Sequence, residues 1–186
     1  MKPTTDNSAP GEFSAPTEVR LVRLLPGPIE RVWEFLTDPV KRARWFAGGP
    51  MEQRVGGKVA LTFKHKDLAP DEPLPEPFQK DESCCDFTAI VTRCEPPRVL
   101  AYTFGKTGES EVTFELTPQG KDVLLVLTHR SRGADVADMA DFGAGWHTHL
   151  AHLIAQLAGQ PPPPFWSMFR ALWNDYEKAR IAAQRS

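Results

Sequence analysis

The sequence predicts an α+β fold in which one antiparallel sheet packs against a long helix close to the C-terminus. Several short segments of alternating apolar and polar residues follow one another across short turns, which is typical of an antiparallel meander. The stretch 138–157 then repeats apolar residues at every third or fourth position, as an amphipathic helix does. With 186 residues, the chain suits a single hydrophobic core. Strands in series closed by a helix indicate the α+β class.

The N-terminal part predicts a leader, a strand and two short helices. Residues 1–16 are rich in Pro, Ser, Thr and Gly without periodicity, so we expect them to be disordered. The alternation in 17–25 (TEVRLVRLL) predicts the first strand. Pro28 suits the first turn of a helix, where its missing N–H costs nothing. We expect one short helix over 29–36 and a second over 38–46.

The middle of the chain predicts a hairpin, a loop and four further strands. Residues 51–54 and 58–65 flank Gly56-Gly57, a pair able to form a tight turn. Residues 66–83 hold four prolines and six acidic residues, which predicts a solvated loop. The remaining strands are expected at 86–94, 99–104, 110–117 and 122–129.

The predicted long helix and the segment after it complete the chain. Four prolines, Pro161–Pro164, interrupt the helical pattern, and an aromatic amphipathic segment follows them. We therefore expect a domain over 17–160 and a helical extension over 161–186 that packs on or beside it. The apolar stripe of the long helix consists of Met139, Phe142, Trp146, Leu150, Leu153 and Leu157.

A series of short motifs follows in a fixed order along the chain: PIERVWEFLTDPVKRARWF (28–46), GGK (56–58), EPPRVLAYTF (95–104), VTFELTP (112–118), LTH (127–129) and the Gly145-Trp146 pair with the leucines after it. This series resembles the START-like superfamily and, within it, the proteins named for homology to the activator of heat-shock protein 90 ATPase. The resemblance implies a helix-grip fold of the Bet v type, in which a curved antiparallel sheet wraps around the C-terminal helix and leaves a cavity. The loop 66–83 and the aromatic segment after Pro164 depart from the family pattern.

Composition limits the function classes and the partners. The formal charge is −2 without a basic block, which argues against nucleic acid as a partner. No run approaches the roughly 20 apolar residues of a membrane span, and the N-terminus lacks the apolar region of a secretory signal. The odd set Cys84, Cys85 and Cys94 does not look like a disulfide framework. We therefore expect a cytoplasmic protein.

Motifs for familiar chemistry are missing from the sequence. It contains no HExxH pattern, no GxSxG context, no phosphate loop and no dinucleotide fingerprint. His149 and His152 can share a helical face, but His147 points away from them, and a pair without a third ligand is weak for zinc. We therefore interpret the three histidines as surface residues beside the apolar stripe. We predict no metal, no cofactor and no assigned catalytic residue.

Aromatic residues at inward positions carry the binding hypothesis, because an aromatic space with few polar groups suits an apolar or planar ligand. His65 and His129 lie on the apolar faces of their predicted strands, where each either contacts a ligand or forms a hydrogen bond to a loop. Arg93 also lies on the apolar face of its predicted strand, and its guanidinium either binds a ligand carboxylate or extends to solvent. The cavity candidates are Trp33, Trp45, Phe46, Phe63, His65, Phe87, Arg93, Phe104, Phe114, His129, Phe142 and Trp146.

Three functions remain as alternatives at this point. The first is a domain that binds a hydrophobic small molecule, such as a lipid or a polyketide-like compound. The second is a cyclase-type or hydrolase-type enzyme on the same fold, with His65 or His129 as acid or base. The third is a module that engages a chaperone, another protein or a second copy of itself through the aromatic segment 165–176.

Overall fold

The computed structural model of the chain describes residues 5–76, 79, 82–133 and 138–185, so the predicted loop 66–83 is described only in part, and the side chain of Cys84 lies outside the description. The strands are β1 (Glu12–Ala15), β2 (Glu18–Pro26), β3 (Lys58–Leu61), β4 (Phe87–Glu95), β5 (Val99–Phe104), β6 (Ser110–Gln119) and β7 (Asp122–Ser131). The helices are α1 (Ile29–Thr37), α2 (Pro39–Ala43), α3 (His65–Leu68), α4 (Met139–Ala158) and α5 (Phe165–Gln184).

The strands form one antiparallel sheet in the order β1-β2-β7-β6-β5-β4-β3. Strand β7 shows why the sheet has an inner face: Val123, Leu125 and Leu127 are buried at alternate positions, while the residues between them are partly exposed. The α+β class, the helix-grip fold, the meander β4–β7 and the long helix are as the sequence predicts.

The inner face of the sheet packs against α4, whose leucines at 150, 153 and 157 are almost completely buried. The helix ends at Gly159, which adopts a φ of 66°, so that Gln160 N–H donates to the carbonyl of Ala155 at 2.9 Å. The sharp end lets the chain turn at the prolines and return as α5. No helix in the described ranges is long and apolar enough to cross a membrane.

The N-terminus differs from the predicted disordered leader. Residues 12–15 form β1, which pairs with the edge of β2. Farther upstream, the Asn7 side chain bonds both the N–H and the C=O of Leu24, at 2.7 and 2.8 Å. The ring of Phe13 packs edge-on against Tyr176 of α5, with centroids 6.3 Å apart. Composition alone missed this strand, which is held by the adjacent strand β2 and by Tyr176 from the distant helix α5.

The predicted hairpin around Gly56-Gly57 is shorter than expected. Met51 and Gly48 pair with β3 and its extension only through isolated bridges, and β3 ends at Leu61 instead of His65. The Phe63 N–H donates to the Asp86 carboxylate at 2.8 Å instead of to a neighbouring strand. His65 consequently begins α3 and is not a strand residue.

Helix α5 packs on α4 and reaches β1. Its residues Phe165, Trp166 and Tyr176 are buried, whereas Trp173 stays 37% exposed. A Cβ on Gly143 would lie 2.3 Å from Cδ1 of Tyr176, so the two helices approach closely only because residue 143 has no side chain. The aromatic segment therefore packs within the chain, and the interaction hypothesis loses its main support.

We predict that Gly143→Ala lowers the free energy of unfolding by about 1–2 kcal/mol, because overpacking against Tyr176 outweighs the higher helix propensity of alanine. Urea denaturation measures the change. Gly145→Ala is the matched control, since a Cβ there meets no atom within 4 Å. Equal stability of the two variants would contradict the prediction.

Candidate ligand-binding cavity

A cavity of about 650 Å³ lies between the sheet, the N-terminal half of α4 and the start of α5. Its volume falls within the range of about 300–1,000 Å³ that small-molecule sites usually have. The structure brings these predicted residues together on its wall: Phe46, Phe63, His65, Phe87, Phe104, Phe142 and Trp146.

The aromatic rings of the wall hold one another in place. Phe104 of β5 contacts Phe87 at 4.9 Å and both Phe142 and Trp146 at 5.7 Å, measured between ring centroids. Phe46, which follows α2, lies 4.8 Å from Trp146. Edge-to-face and tilted pairs at such distances are favourable. The wall is therefore a connected aromatic surface supplied by β5, α4 and the segment after α2.

Three predicted aromatic residues pack away from the cavity. Trp45 is buried and donates its indole N–H to the carbonyl of Phe35 at 2.8 Å, and Trp33 donates to the side chain of Gln53 at 3.1 Å. Phe114 lies behind Trp146, with its ring edge-on at 5.6 Å. Hydrophobic pattern identifies an inward residue but does not tell whether another ring lies in front of it.

Arg93 does not face the cavity, so its predicted inward position is wrong. Its side chain is 51% exposed and pairs with Glu95 at 2.7 Å. The pairing of β4 with β5 shifts register between Val91 and Arg93, as in a β-bulge. Because of the extra residue, positions that would point inward point outward beyond the bulge. The alternation that starts at Phe87 therefore no longer predicts the direction of the Arg93 side chain.

His129 supports the wall from behind and is not part of the lining. Its Nδ1 accepts a hydrogen bond from the Trp146 indole N–H at 2.8 Å, so its proton is on Nε2, which bonds Ser110 Oγ at 2.9 Å. Phe142 stacks on the ring at 4.1 Å. Burial lowers the pKa of His129 to about 3. The residue therefore holds Trp146 and Phe142 in place as a neutral ring.

The prediction that the α4 histidines lie on the surface is wrong. His147, His149 and His152 are buried, because α5 and the prolines before it cover the side of α4 that was expected to meet water. His147 bonds the Tyr176 hydroxyl at 3.0 Å, and Nε2 of His152 bonds the carbonyl of Pro163 at 2.9 Å.

His149 is a cavity residue that the sequence analysis missed. It lies on the wall between Phe46 and Phe165, with ring centroids at 5.0 and 4.8 Å. Its Nδ1 lies 2.7 Å from the carbonyl oxygen of Trp45, and because a carbonyl only accepts, Nδ1 carries the proton. Burial lowers the pKa of His149 to about 3, so Nε2 keeps a free lone pair.

The segment around α3 closes the cavity together with the start of α5. His65 lines the cavity, and its ring lies 5.2 Å from Trp166 and 6.0 Å from Phe165. Leu68 and Ala69 pack with the same two aromatic residues in a small separate cluster. Phe165, Trp166 and Phe169 of α5 are therefore wall residues that the sequence analysis assigned only to an extension.

Glu72 joins the acidic loop to α5. Its carboxylate accepts hydrogen bonds from the N–H groups of Trp166 and Ser167, both at 2.9 Å, and from the Ser167 hydroxyl at 2.6 Å. Desolvation raises the pKa of Glu72, but these hydrogen bonds outweigh it, and the pKa lies below its usual value. Since Pro164 provides no side-chain cap, Glu72 caps the helix from a distant part of the chain. The acidic loop and the aromatic segment thus contact each other.

The described part of the cavity mouth is acidic on balance. Its lining has four acidic residues, Glu76, Glu109, Asp138 and Asp141, and two basic residues, Lys106 and Arg170. Asp141 accepts a hydrogen bond from the Trp173 indole N–H at 2.6 Å, and burial raises the pKa of its carboxyl group. Among the described residues, no group of three or more His, Cys, Asp or Glu side chains is arranged to hold a metal ion.

Comparisons with known proteins point to one family. The family described as "Activator of Hsp90 ATPase homolog 1-like protein" matches residues 26–159. A protein from Bordetella parapertussis, known from a solution structure, is 46% identical over 94% of each chain, with a TM-score of 0.74. CalU16 from Micromonospora echinospora is 24% identical over 88% of each chain, with a TM-score of 0.65.

A more distant similarity is to the Aha1 dimer from Colwellia psychrerythraea, which is 15% identical over 75% of this chain and 95% of that one, with a TM-score of 0.57. This likeness concerns the fold. Among curated proteins, none matches the chain.

We predict that the free energy of unfolding falls as the pH is lowered below about 6.5, because His129 and His149 take up protons in the unfolded chain but stay neutral in the folded one until about pH 3. Above pH 6.5 their contribution to stability is complete. Each histidine contributes a slope of about 1.4 kcal/mol per pH unit. Urea denaturation between pH 7.5 and 5 measures it. His129→Gln should show a smaller slope, and an unchanged slope would refute the assignment.

We also predict that Glu72→Ala lowers the free energy of unfolding by about 1 kcal/mol, because the first amides of α5 lose their acceptor. Amide hydrogen exchange at Trp166 and Ser167 should become faster. Asp71→Ala, an exposed acidic residue of the same segment, is the matched control. If both variants exchange at the wild-type rate, Glu72 does not cap the helix.

Proposed function

The chain belongs to the family of activator of Hsp90 ATPase homolog 1-like proteins, and we propose that it binds a hydrophobic, planar small molecule between its sheet and α4. The observation that carries the proposal is the cavity of about 650 Å³ with aromatic walls, which the side chains of the described residues do not fill. Protein interiors are normally close-packed, with few voids larger than a water molecule. A space of this size in an aromatic core is therefore best explained by a ligand.

A planar ligand suits this wall because the aromatic side chains of the wall present both ring faces and ring edges for packing. Phe46, Phe104 and Trp146 are held by one another and by His129 behind them, so little conformational freedom is lost when a ligand packs against them. Gly145 adds room, because no atom lies within 4 Å of the place where its Cβ would be.

The two alternatives have less support. An acid–base role for His129 does not agree with its place behind the wall, which leaves His65 as the lining histidine of the two that were considered. A partner surface on the aromatic segment does not agree with the burial of Phe165, Trp166 and Tyr176 within the chain. We propose the cytoplasm as the compartment, which the free thiol of Cys94 suits.

Melting temperatures with a panel of neutral aromatic compounds and fatty acids test the proposal. A compound at about 100 times its Kd should raise the melting temperature by roughly 5–10 °C. Gly145→Leu should fold and lose this shift, because the new side chain extends into the cavity, whereas Gly145→Ala should keep it. The proposal fails if no compound shifts the wild type, or if Gly145→Leu responds as the wild type does.

A further inference from the structure

The wall of the cavity contains one imidazole whose hydrogen-bonding role is set by the backbone. His149 donates from Nδ1 to the carbonyl of Trp45, which leaves Nε2 as an acceptor. Within the described part of the chain, no hydrogen bond reaches this Nε2, and it is not among the buried side-chain atoms that lack a partner. The atom therefore remains accessible on a residue that lines the cavity.

We infer that the ligand is a neutral aromatic molecule that carries a hydroxyl group and donates its hydrogen bond to Nε2 of His149. The inference rests on the proposed ligand-binding function and adds the chemical class of the ligand. A ligand that displaces water from this place without offering a donor leaves the acceptor unsatisfied, which costs binding free energy. A ligand with a hydroxyl replaces the lost water.

The charges around the cavity argue for a neutral ligand. His149 is neutral, and Arg93, once a candidate partner for a carboxylate, lies on the exposed face of β4. Among the described lining residues, Lys106 and Arg170 at the mouth are outnumbered by four acidic residues. A carboxylate that enters the aromatic space would lose its hydration beside a lining whose described residues carry a net negative charge. The cavity thus disfavours fatty acids and other anionic amphiphiles.

Isothermal titration calorimetry at about pH 7 with three naphthalene compounds tests the hydrogen bond and the charge separately. 2-Naphthol is neutral and can donate a hydrogen bond, and 2-methoxynaphthalene is neutral but has no donor. 2-Naphthoate is anionic. We expect 2-naphthol to bind the wild type about tenfold more tightly than either of the other compounds, because only 2-naphthol donates a hydrogen bond to Nε2 of His149.

Two variants test the residue. His149→Phe keeps a ring but has no acceptor, so the preference for 2-naphthol over 2-methoxynaphthalene should vanish. His152→Phe is the matched control, because His152 is buried on the same helix but does not line the cavity, and it should keep the preference. If the variants do not fold, the ¹⁵N resonance of His149 Nε2 in the wild type decides: it should shift on addition of 2-naphthol and stay in place with 2-methoxynaphthalene.

The outcomes distinguish this inference from the proposed function. If none of the three compounds binds, the proposed function itself fails for planar aromatic ligands. If 2-naphthol and 2-methoxynaphthalene bind equally, or if 2-naphthoate binds most tightly, the cavity binds ligands but the role of His149 is refuted. The same holds if the Nε2 resonance does not respond to 2-naphthol.

Discussion

The rest of the structure depends on the packing of α4 between the sheet and α5. On one side, its leucines fill the inner face of the sheet, as a helix-grip fold requires. On the other side, Gly143 lets the ring of Tyr176 come within van der Waals distance of the helix backbone, so α5 covers what would otherwise be a solvent-facing surface. A helix buried on both sides can place imidazole groups in the protein interior, where desolvation keeps them neutral. The cavity is the space that remains at the N-terminal end of this three-layer contact.

Two neutral histidines of defined tautomer shape the cavity wall: His129 lies behind the wall and His149 is part of it. His129 accepts from Trp146 and thereby orients the indole that forms part of the wall. His149 donates to the backbone of Trp45, which leaves Nε2 as an acceptor on a residue of the cavity wall. Besides the aromatic rings, the lining includes His65 and the charged residues of the mouth. A mainly aromatic surface with an oriented acceptor distinguishes ligands by hydrogen bonding and by charge.

The acidic loop and α5 have to be understood together. Glu72 caps a helix that follows four prolines and has no side-chain cap of its own, while Leu68 and Ala69 pack against Phe165 and Trp166. These contacts join the two segments and add to the packing of α5 on α4. Their contact closes the end of the cavity next to His65. The size of the cavity therefore depends on a contact between two segments that are far apart in sequence.

The sequence by itself determined the α+β class, the meander β4–β7, the long helix and the family, because these depend on periodicity and on the order of local motifs. It also identified the aromatic residues of α4 and β5 that reach the wall, such as Phe104 and Trp146. Only the tertiary structure decided that Arg93 points outward, because a bulge exchanges the faces of a strand without changing the alternation in sequence. Only the tertiary structure placed Trp45 and Phe114 behind other rings, because hydrophobicity carries no information about depth. His149 belongs to the cavity wall for a similar reason. Helix α5, which lies later in the sequence, covers the side of α4 that carries His149. The local pattern of α4 cannot show which of its faces a later segment will bury.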